Sequence, residues 1–474
     1  MVSSLDSRPM ASPQPEHFLF VTDPMQSHII PARRLASRIA AAMPNARVTF
    51  STAVSGHRHM FPHLTSPDGE VVHGLVSYIP YSDGFDAGFN PESHGVGVDA
   101  YRERAREVGS VTLAAVFARL ATRGHPVTRV VYTALVGWAP DVARAHGHGG
   151  GVPAALYWVK PATVFAVYYH YFHGHGAFLA SCATSGRNAD DVHLPGLPPL
   201  RAEDLPCFAS MAAPGSRNYL TLDMLRGIFA ALDEHRPTVL VDTFDALEPE
   251  ALRAVPRLSL VAVGPVVVDE PCRPCVEMFQ PSDANAYLGW LDAQPVRSVV
   301  FVSFGNVLSL SKRQSEELRR GLEATGRPYL LVARKMSGGN GGDSGKGMVV
   351  EWCSQAKVLS HRAVGCFVTH CRWDATLESI TGGVPMVAVP RWGDQTTVAA
   401  MVEASAGVGV RAWTGADGVV ERGELQRCVE MVMGGTDGAK AVRARAERWG
   451  QRAKEAAAAG GTSDRSLRAF ASGL

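Results

Sequence analysis

Short apolar runs recur along the chain and alternate with longer stretches in which apolar residues return every three or four positions. The first run, His17 to Thr22, predicts a strand. A loop follows, Asp23 to Pro31, and then a helix with Leu35, Ile39 and Met43 on one face. Arg47 to Ser51 is a second β-rich run. Strand, helix and strand at this spacing make a βαβ unit, which implies a parallel sheet. The pattern returns with strands at Arg129–Thr133, Ala154–Trp158 and Thr238–Asp242, and a helix at Trp138–His146. The glycine-rich insert His146 to Gly151 reads as a flexible loop.

Asp269 to Ser282 lacks periodicity and is rich in Pro, Cys and polar residues, so it reads as a linker. A second series follows. Ser298–Ser303 and Tyr329–Ala333 predict strands, Ser311–Thr325 a helix, and Gly338 to Gly347 a polar glycine-rich loop. Val364–Thr369 and Val384–Val389 predict strands around a helix that carries Trp373, Leu377 and Ile380 on one face. Gly382-Gly383 ends that helix. The expected fold is α/β, with two doubly wound, Rossmann-like domains facing a cleft. Ligands in such sheets bind beyond the carboxyl ends of the strands. The expected division is a tail at 1–16, an N-terminal domain at 17–265, a linker at 266–288, a C-terminal domain at 289–455 and a terminal segment at 456–474.

Composition narrows the function. The chain has 474 residues, 46% of them hydrophobic, and a net charge of +1. That balance gives no footprint for nucleic acid or acidic lipid. No window reads as a membrane-spanning helix, and residues 1–16 do not read as a secretory signal. Eight cysteines are too sparse for a disulfide scaffold. The Cys272/Cys275 pair lacks the further ligands that a zinc site needs. A reduced, cytoplasmic protein is expected, without metal, cofactor or nucleic-acid partner.

The chemistry concentrates between Trp352 and Gln395. A helix that starts at the end of a parallel strand presents free N–H groups and a positive dipole end, which suits a pyrophosphate. His370 stands at that junction and can donate to a phosphate oxygen. Glu378 can accept bonds from two ribose hydroxyls. Trp352 offers a flat face to a base. Asp394 and Gln395 are a carboxylate–amide pair suited to sugar hydroxyls.

This 44-residue stretch resembles the signature box of plant family-1 UDP-sugar glycosyltransferases. The resemblance extends to His17–Pro31, Tyr81–Gly84, Leu194–Pro199, Thr243–Glu248, Val302–Gly305 and Gly461–Ser466, in family order. It is strongest toward the anthocyanidin 5-O-glucosyltransferase and crocetin glucosyltransferase branch. It implies the two-lobed GT-B fold and inverting, metal-independent transfer of glucose from UDP-glucose, a co-substrate, to a hydroxyl or carboxyl of a small aromatic or apolar plant metabolite. It implies a monomer whose terminal segment packs back on the N-terminal lobe. By resemblance His28 is the general base. Imidazole has a suitable pKa for taking an acceptor proton during attack. The resemblance also places Asn306, Trp352, Cys353, Gln355, His370, Trp373, Asp374, Ala375, Glu378, Asp394 and Gln395 on the donor. Tyr81, Phe85 and Trp158 are the acceptor-wall candidates.

The chain departs from the pattern at several points. The box usually reads His-Cys-Gly-Trp-Asn-Ser; here it is His370-Cys-Arg-Trp-Asp-Ala375. Arg372 replaces a glycine, and Asp374 replaces a donor amide with an acceptor-only carboxylate. Arg372 can offset Asp374 by pairing with it. Asp23 stands where an aromatic or small residue is common, Ser27 replaces a glycine, and Asn306 stands where Ser or Thr is usual. Val159 stands where a sugar-contacting Thr is common in other branches. Thr133 stands where many members have the aspartate that orients the base, although the branch the chain most resembles often has a threonine there; without a carboxylate partner His28 is expected to be a weaker base. The competing reading is a catalytically impaired relative that binds UDP-sugar or acceptor with little turnover. A GT-B epimerase fits the box less well.

Overall fold

The computed structural model describes residues 15–66, 68–147, 150–184, 192–207, 217–265, 286–305, 310–333, 346–415 and 417–473. The N-terminal sheet contains β1 (His17–Thr22), β2 (Arg47–Thr52), β3 (Val71–His73), β4 (Val76–Tyr78), β5 (Arg129–Thr133), β6 (Ala154–Trp158), β7 (Val239–Val241) and β8 (Leu260–Ala262). Its strand order is β3-β4-β2-β1-β5-β6-β7-β8. Every pairing is parallel except the β3–β4 hairpin at the edge. The C-terminal sheet contains β9 (Val299–Ser303), β10 (Tyr329–Val332), β11 (Gly347–Val350), β12 (Val364–Thr369), β13 (Met386–Ala388) and β14 (Gly409–Arg411). Its order is β11-β10-β9-β12-β13-β14, all parallel.

Both sheets are covered on two faces, which explains the near-continuous apolar strands. In β1, Leu19 and Val21 enter one core layer while Phe18 and Phe20 enter the other, and all six residues are buried. The helix Gln26–Ala42 covers the second face with Ile29, Leu35 and Ile39. The terminal helix Thr462–Ser472 lies in this same layer. Leu467 and Ala471 are buried there, the Phe470 and Phe18 rings are 6.4 Å apart, and Arg468 donates to the Ala42 carbonyl.

β1, β5, β6 and β12 occupy the same residues as the runs read from sequence. Three features differ. Glu16, placed in the expected tail, is tied down: its carboxylate accepts from Thr128 Oγ1 at 2.6 Å. The helix Ala286–Asp292 begins inside the span expected to be linker; residues 266–285 lie outside the described residues. The β3–β4 hairpin and β11 were not read, because three or four residues are too few to show a period. Most of the glycine-rich run (338–345) also lies outside the described residues.

Candidate active site

The carboxyl ends of the two sheets face each other, and the predicted residues gather there. β1 runs into Asp23, β5 ends at Thr133, β6 leads to Lys160 and β7 to Asp242. Across the cleft, β9 leads to Gly305, β12 to His370 and β13 to Asp394. Both doubly wound sheets thus aim their ligand-binding ends into one space.

His28 lies in the first turn of the helix Gln26–Ala42. Its Nδ1 is 2.6 Å from Asp23 Oδ2, and both side chains are about nine-tenths buried. The sequence reading left His28 without a carboxylate; the structure supplies one from the same loop. Thr133 is buried beside this strand end, and its hydroxyl has no hydrogen-bond partner in the structure. A cavity of about 1220 Å³ is lined by Asp23, Met25, Tyr81, Asp83, Tyr101 and Trp138, and it extends to Arg129, Ala154 and Thr238 at the amino ends of β5, β6 and β7. Burial raises the Asp83 carboxyl above its ordinary value. Of the three acceptor-wall candidates, Tyr81 lines this cavity. Phe85 stands outside its wall, ring to ring with Phe89 and Tyr101 at 5.2 and 5.3 Å. The Trp158 ring is core, packed edge-on to Phe165, with its indole N–H on the Pro161 carbonyl.

On the opposite side, the helix Trp373–Gly382 follows β12. Burial, and then the nearby Arg372 cation, push the His370 imidazole down to about 4, so it is neutral at pH 7. Its Nδ1 has no hydrogen-bond partner in the structure. Arg372 binds Asp374 through two bonds, Nε to Oδ1 at 2.6 Å and Nη2 to Oδ2 at 2.7 Å. Burial works to raise the Asp374 carboxyl, but the Arg372 partner holds it below its ordinary value. Oδ1 also accepts from the Ala375 N–H at 2.9 Å. Arg372 keeps ordinary extended dihedrals, φ −64° and ψ 138°, so this position has no conformational need for glycine. The positive φ falls one residue earlier, at Cys371, at 64°. Glycine is needed instead at Gly305, where φ is +71° and a Cβ would stand 3.3 Å from the His370 ring.

Glu378 is held from two directions. Gln355 Nε2 donates to Oε2 at 2.7 Å, and Arg34 Nη2 lies 2.7 Å from Oε1. Arg34 belongs to the same helix as His28, six positions on, about 9 Å along the axis. The expected base and the expected ribose site are therefore joined by one helix. Lys160 of the N-terminal lobe pairs with Asp394. Gln395 turns its carbonyl onto the N–H groups of Arg391 and Trp392, at 2.8 and 3.2 Å, and shapes that loop. Trp352 is half-buried at the mouth of β11. Three expected donor residues have core side chains: Cys353, Trp373 and Ala375 are 8%, 1% and 2% exposed. The Trp373 indole donates across the lobes to the Asp242 carbonyl at 2.7 Å. Asn306 lies outside the described residues.

Sequence reasoning passed over Arg34, Lys160 and Asp242. Their signal is spatial: each lies just past a strand end or on the first helix, yet its partner is in the other half of the chain. Asp242 is buried among Arg34, Arg38, Tyr157 and Asp374, and burial pushes it up to about 6. A second lobe contact joins Asp204 to Arg411 at 2.6 Å, with Cys207 bonded to Gly393 nearby.

Residues 280–440 match the family described as UDP-glucoronosyl and UDP-glucosyl transferase. The chain is 38% identical to phloretin 4'-O-glucosyltransferase of Malus domestica, with 96% of each chain covered. It is 39% identical to anthocyanidin 3-O-glucoside 5-O-glucosyltransferase 1 of Perilla frutescens, covering 95% of this chain and 97% of that one. Among solved structures it superposes on Os79 from O. sativa in complex with UDP with a TM-score of 0.80 and 28% identity, over 97% of this chain and 100% of that one. With two parallel-sheet lobes closing on a shared cleft and kinship over nearly its whole length, the chain belongs to the UDP-glucosyltransferase family of plant enzymes with the GT-B fold.

Proposed function

We propose that the protein transfers glucose from UDP-glucose to a hydroxyl or carboxyl group of a small apolar plant metabolite of flavonoid, apocarotenoid or hormone type. The observation that carries this reading is the cleft itself. His28 with its carboxylate partner stands on one side, and the Gln355–Glu378 pair, His370 and Asp394 stand on the other. The reaction then runs as follows. His28 takes the acceptor proton as the acceptor oxygen attacks C1 of the sugar. The bond from C1 to the diphosphate oxygen breaks, UDP leaves with that electron pair, and the configuration at C1 inverts. A carboxylic acceptor is already ionised and needs no base.

In this reading Trp352 stacks on uracil, and Gln355 and Glu378 hold the ribose. His370 and the start of the Trp373–Gly382 helix face the diphosphate, and Asp394 and Gln395 face the glucose hydroxyls. No metal takes part. The cavity at Asp23, Tyr81 and Trp138 receives the acceptor. The impaired-relative reading loses its main supports. Asp374 is paired with Arg372, and His28 has a carboxylate. Both sides of the cleft come from one chain, which supports action as a monomer; sedimentation tests that. The described helices include none long and apolar enough to cross a membrane. A cytoplasmic site of action remains part of the proposal, tested by imaging a fluorescent fusion.

The deciding experiment is UDP release from UDP-glucose with a panel of phenolic and carboxylic acceptors, on the parent and on His28→Ala. The parent is expected to turn over. The variant is expected to lose about 10²–10⁴-fold with phenols and to bind UDP as before. Unchanged phenol turnover in the variant shows a different base. Lost UDP binding shows that His28 belongs to the donor site.

A further inference from the structure

Four observations meet at the end of β1. First, Asp23 Oδ2 lies 2.6 Å from His28 Nδ1 as an ion-pair contact, and neither atom has a hydrogen-bond partner elsewhere or meets hydrogen-bond geometry with the other. Second, the carboxylate is fixed rather than floating. Its other oxygen accepts from the Met25 N–H at 2.7 Å, and the Asp23 carbonyl accepts from Thr52 Oγ1 at 2.9 Å. Third, the neighbouring strand end holds no carboxylate. β1 and β5 run parallel with Val21 opposite Tyr132, so Thr133 comes level with the residue before Asp23. Its hydroxyl is buried without a hydrogen-bond partner. Fourth, Asp23 lines one end of a cavity that Tyr81 and Trp138 also wall, and His28 follows five positions on, in the first turn of the next helix.

We propose that Asp23 is the positioning residue of the catalytic base. The carboxylate that orients the imidazole stands at the end of β1, one strand over from Thr133 at the end of β5. The inference rests on the reading of His28 as the base. A carboxylate at Nδ1 keeps the ring proton on that nitrogen and leaves the Nε2 lone pair toward the acceptor. It also stabilises the imidazolium that forms when Nε2 takes the acceptor proton. Asp23 then supplies the carboxylate that position 133 does not.

Chemistry separates this role from a structural one. Asp23→Asn keeps an oxygen for the Met25 N–H but turns an amide N–H₂ toward Nδ1. The ring must then accept at Nδ1 and carry its proton on Nε2, the wrong tautomer for a base. With a phenolic acceptor, kcat is expected to fall about 10²–10³-fold, the scale of lost general-base catalysis. A carboxylic acceptor with a pKa near 4 has no proton to remove at pH 7. Its loss is expected to be at least about tenfold smaller than the phenol's. UDP affinity and melting temperature should stay near those of the parent. In the His28→Ala background, Asp23→Asn should have no further effect on phenol turnover. The carboxylate's role is tested by Asp23→Ala with and without Thr133→Asp, where the added carboxylate is expected to return at least about tenfold in phenol turnover.

Equal losses with both acceptor classes, or parent-like phenol turnover in Asp23→Asn, overturn the proposal. So does a folded Asp23→Ala/Thr133→Asp protein with no recovery. His28→Ala in the same assay keeps the two claims apart. An active His28→Ala removes the base reading itself; an inactive one beside a fully active Asp23→Asn removes only the role of Asp23.

Discussion

Arg372→Gly strips the guanidinium from a two-bond pair, 2.6 and 2.7 Å, and strands the Asp374 carboxylate at the head of its helix. Removing one partner of a fully buried ion pair costs about 3–5 kcal/mol. The Arg372 side chain is 30% exposed and that of Asp374 15%, so water softens the loss. A cost of about 2–3 kcal/mol is expected, with about 0.5–1 kcal/mol more for the backbone freedom of glycine. At about 2–4 °C per kcal/mol for a lobe of this size, the variant melts roughly 5–15 °C below the parent. The stranded charge also faces the site proposed for the diphosphate. One such repulsion of about 1.4 kcal/mol weakens UDP about tenfold.

Arg372→Gly with Asp374→Asn carries the same glycine cost without the stranded charge. The asparagine Oδ1 can still take the Ala375 N–H. Its melting temperature and UDP affinity should therefore lie between those of the parent and of Arg372→Gly. Thermal melting and UDP calorimetry on the parent, the two single variants and the double variant close a cycle, and a coupling of about 2 kcal/mol is expected. The glycine term appears in both arms and cancels. Additive single effects, or UDP binding by Arg372→Gly within about twofold of the parent, refute the idea that Arg372 neutralises Asp374.

Glu378→Ala should weaken both UDP and UDP-glucose, whereas Asp394→Ala should weaken UDP-glucose and barely affect UDP. Calorimetry that finds the same losses in both variants contradicts the proposed division. Denaturant unfolding across pH reads two opposed groups. Asp242, held at about 6 by burial against an ordinary 3.8, costs stability as pH rises through that window, about 3 kcal/mol in all, so Asp242→Asn should gain on the parent at pH 7.5 and not at pH 4. His370, held at about 4 against 6.5, gives stability that is complete above 6.5 and lost as pH falls toward 4, so His370→Gln should flatten the acid side; profiles parallel to the parent in both variants refute these assignments. Asp204→Ala leaves the Arg411 guanidinium buried without a carboxylate, with the Thr396 carbonyl still accepting from it at 3.2 Å; the cost is about 3–5 kcal/mol, and removing both charges together should cost less by unfolding measurements. At Gly109 a Cβ would stand 2.6 Å from the Trp138 ring, so Gly109→Val should cost about 1–3 kcal/mol and raise acceptor KM without changing UDP affinity.

The fold was legible because both sheets are parallel and covered. Strands such as His17–Thr22 and Val364–Thr369 then appear as unbroken apolar runs with helices between. The short edge pieces were not, because the hairpin at Val71–Tyr78 is held by its neighbours rather than by a pattern of its own. In the site, His370 at the end of β12 was legible, whereas Lys160 and Asp242, just past β6 and β7, were not, because their partners lie in the other half of the chain. Trp373 and Cys353 are a different case. They sit inside the family motif, yet their side chains belong to the core, and motif membership does not distinguish a residue that touches a ligand from one that supports the loop.

The departures from the family pattern carry a further lesson. Read singly, Asp23, Thr133, Arg372 and Asp374 each weaken the case for catalysis. Two are strand-end neighbours from distant parts of the chain, and two are bound to each other. In the first pair a carboxylate is missing from one strand end and present at the next, within reach of the same imidazole. In the second, the cation and the carboxylate that replace glycine and asparagine neutralise each other. A substitution that adds a buried charge persists when its partner arrives with it, because a lone buried charge costs several kcal/mol while a hydrogen-bonded pair is tolerated. Charged departures inside the family motif therefore gain meaning as spatial pairs. The same argument extends to Arg34 on Glu378 and Lys160 on Asp394. Each is a cation from one lobe on a carboxylate of the other, so a donor that claims those carboxylates must share them with the N-terminal lobe. If the donor takes those carboxylates as proposed, its binding and the lobe contact form one linked equilibrium.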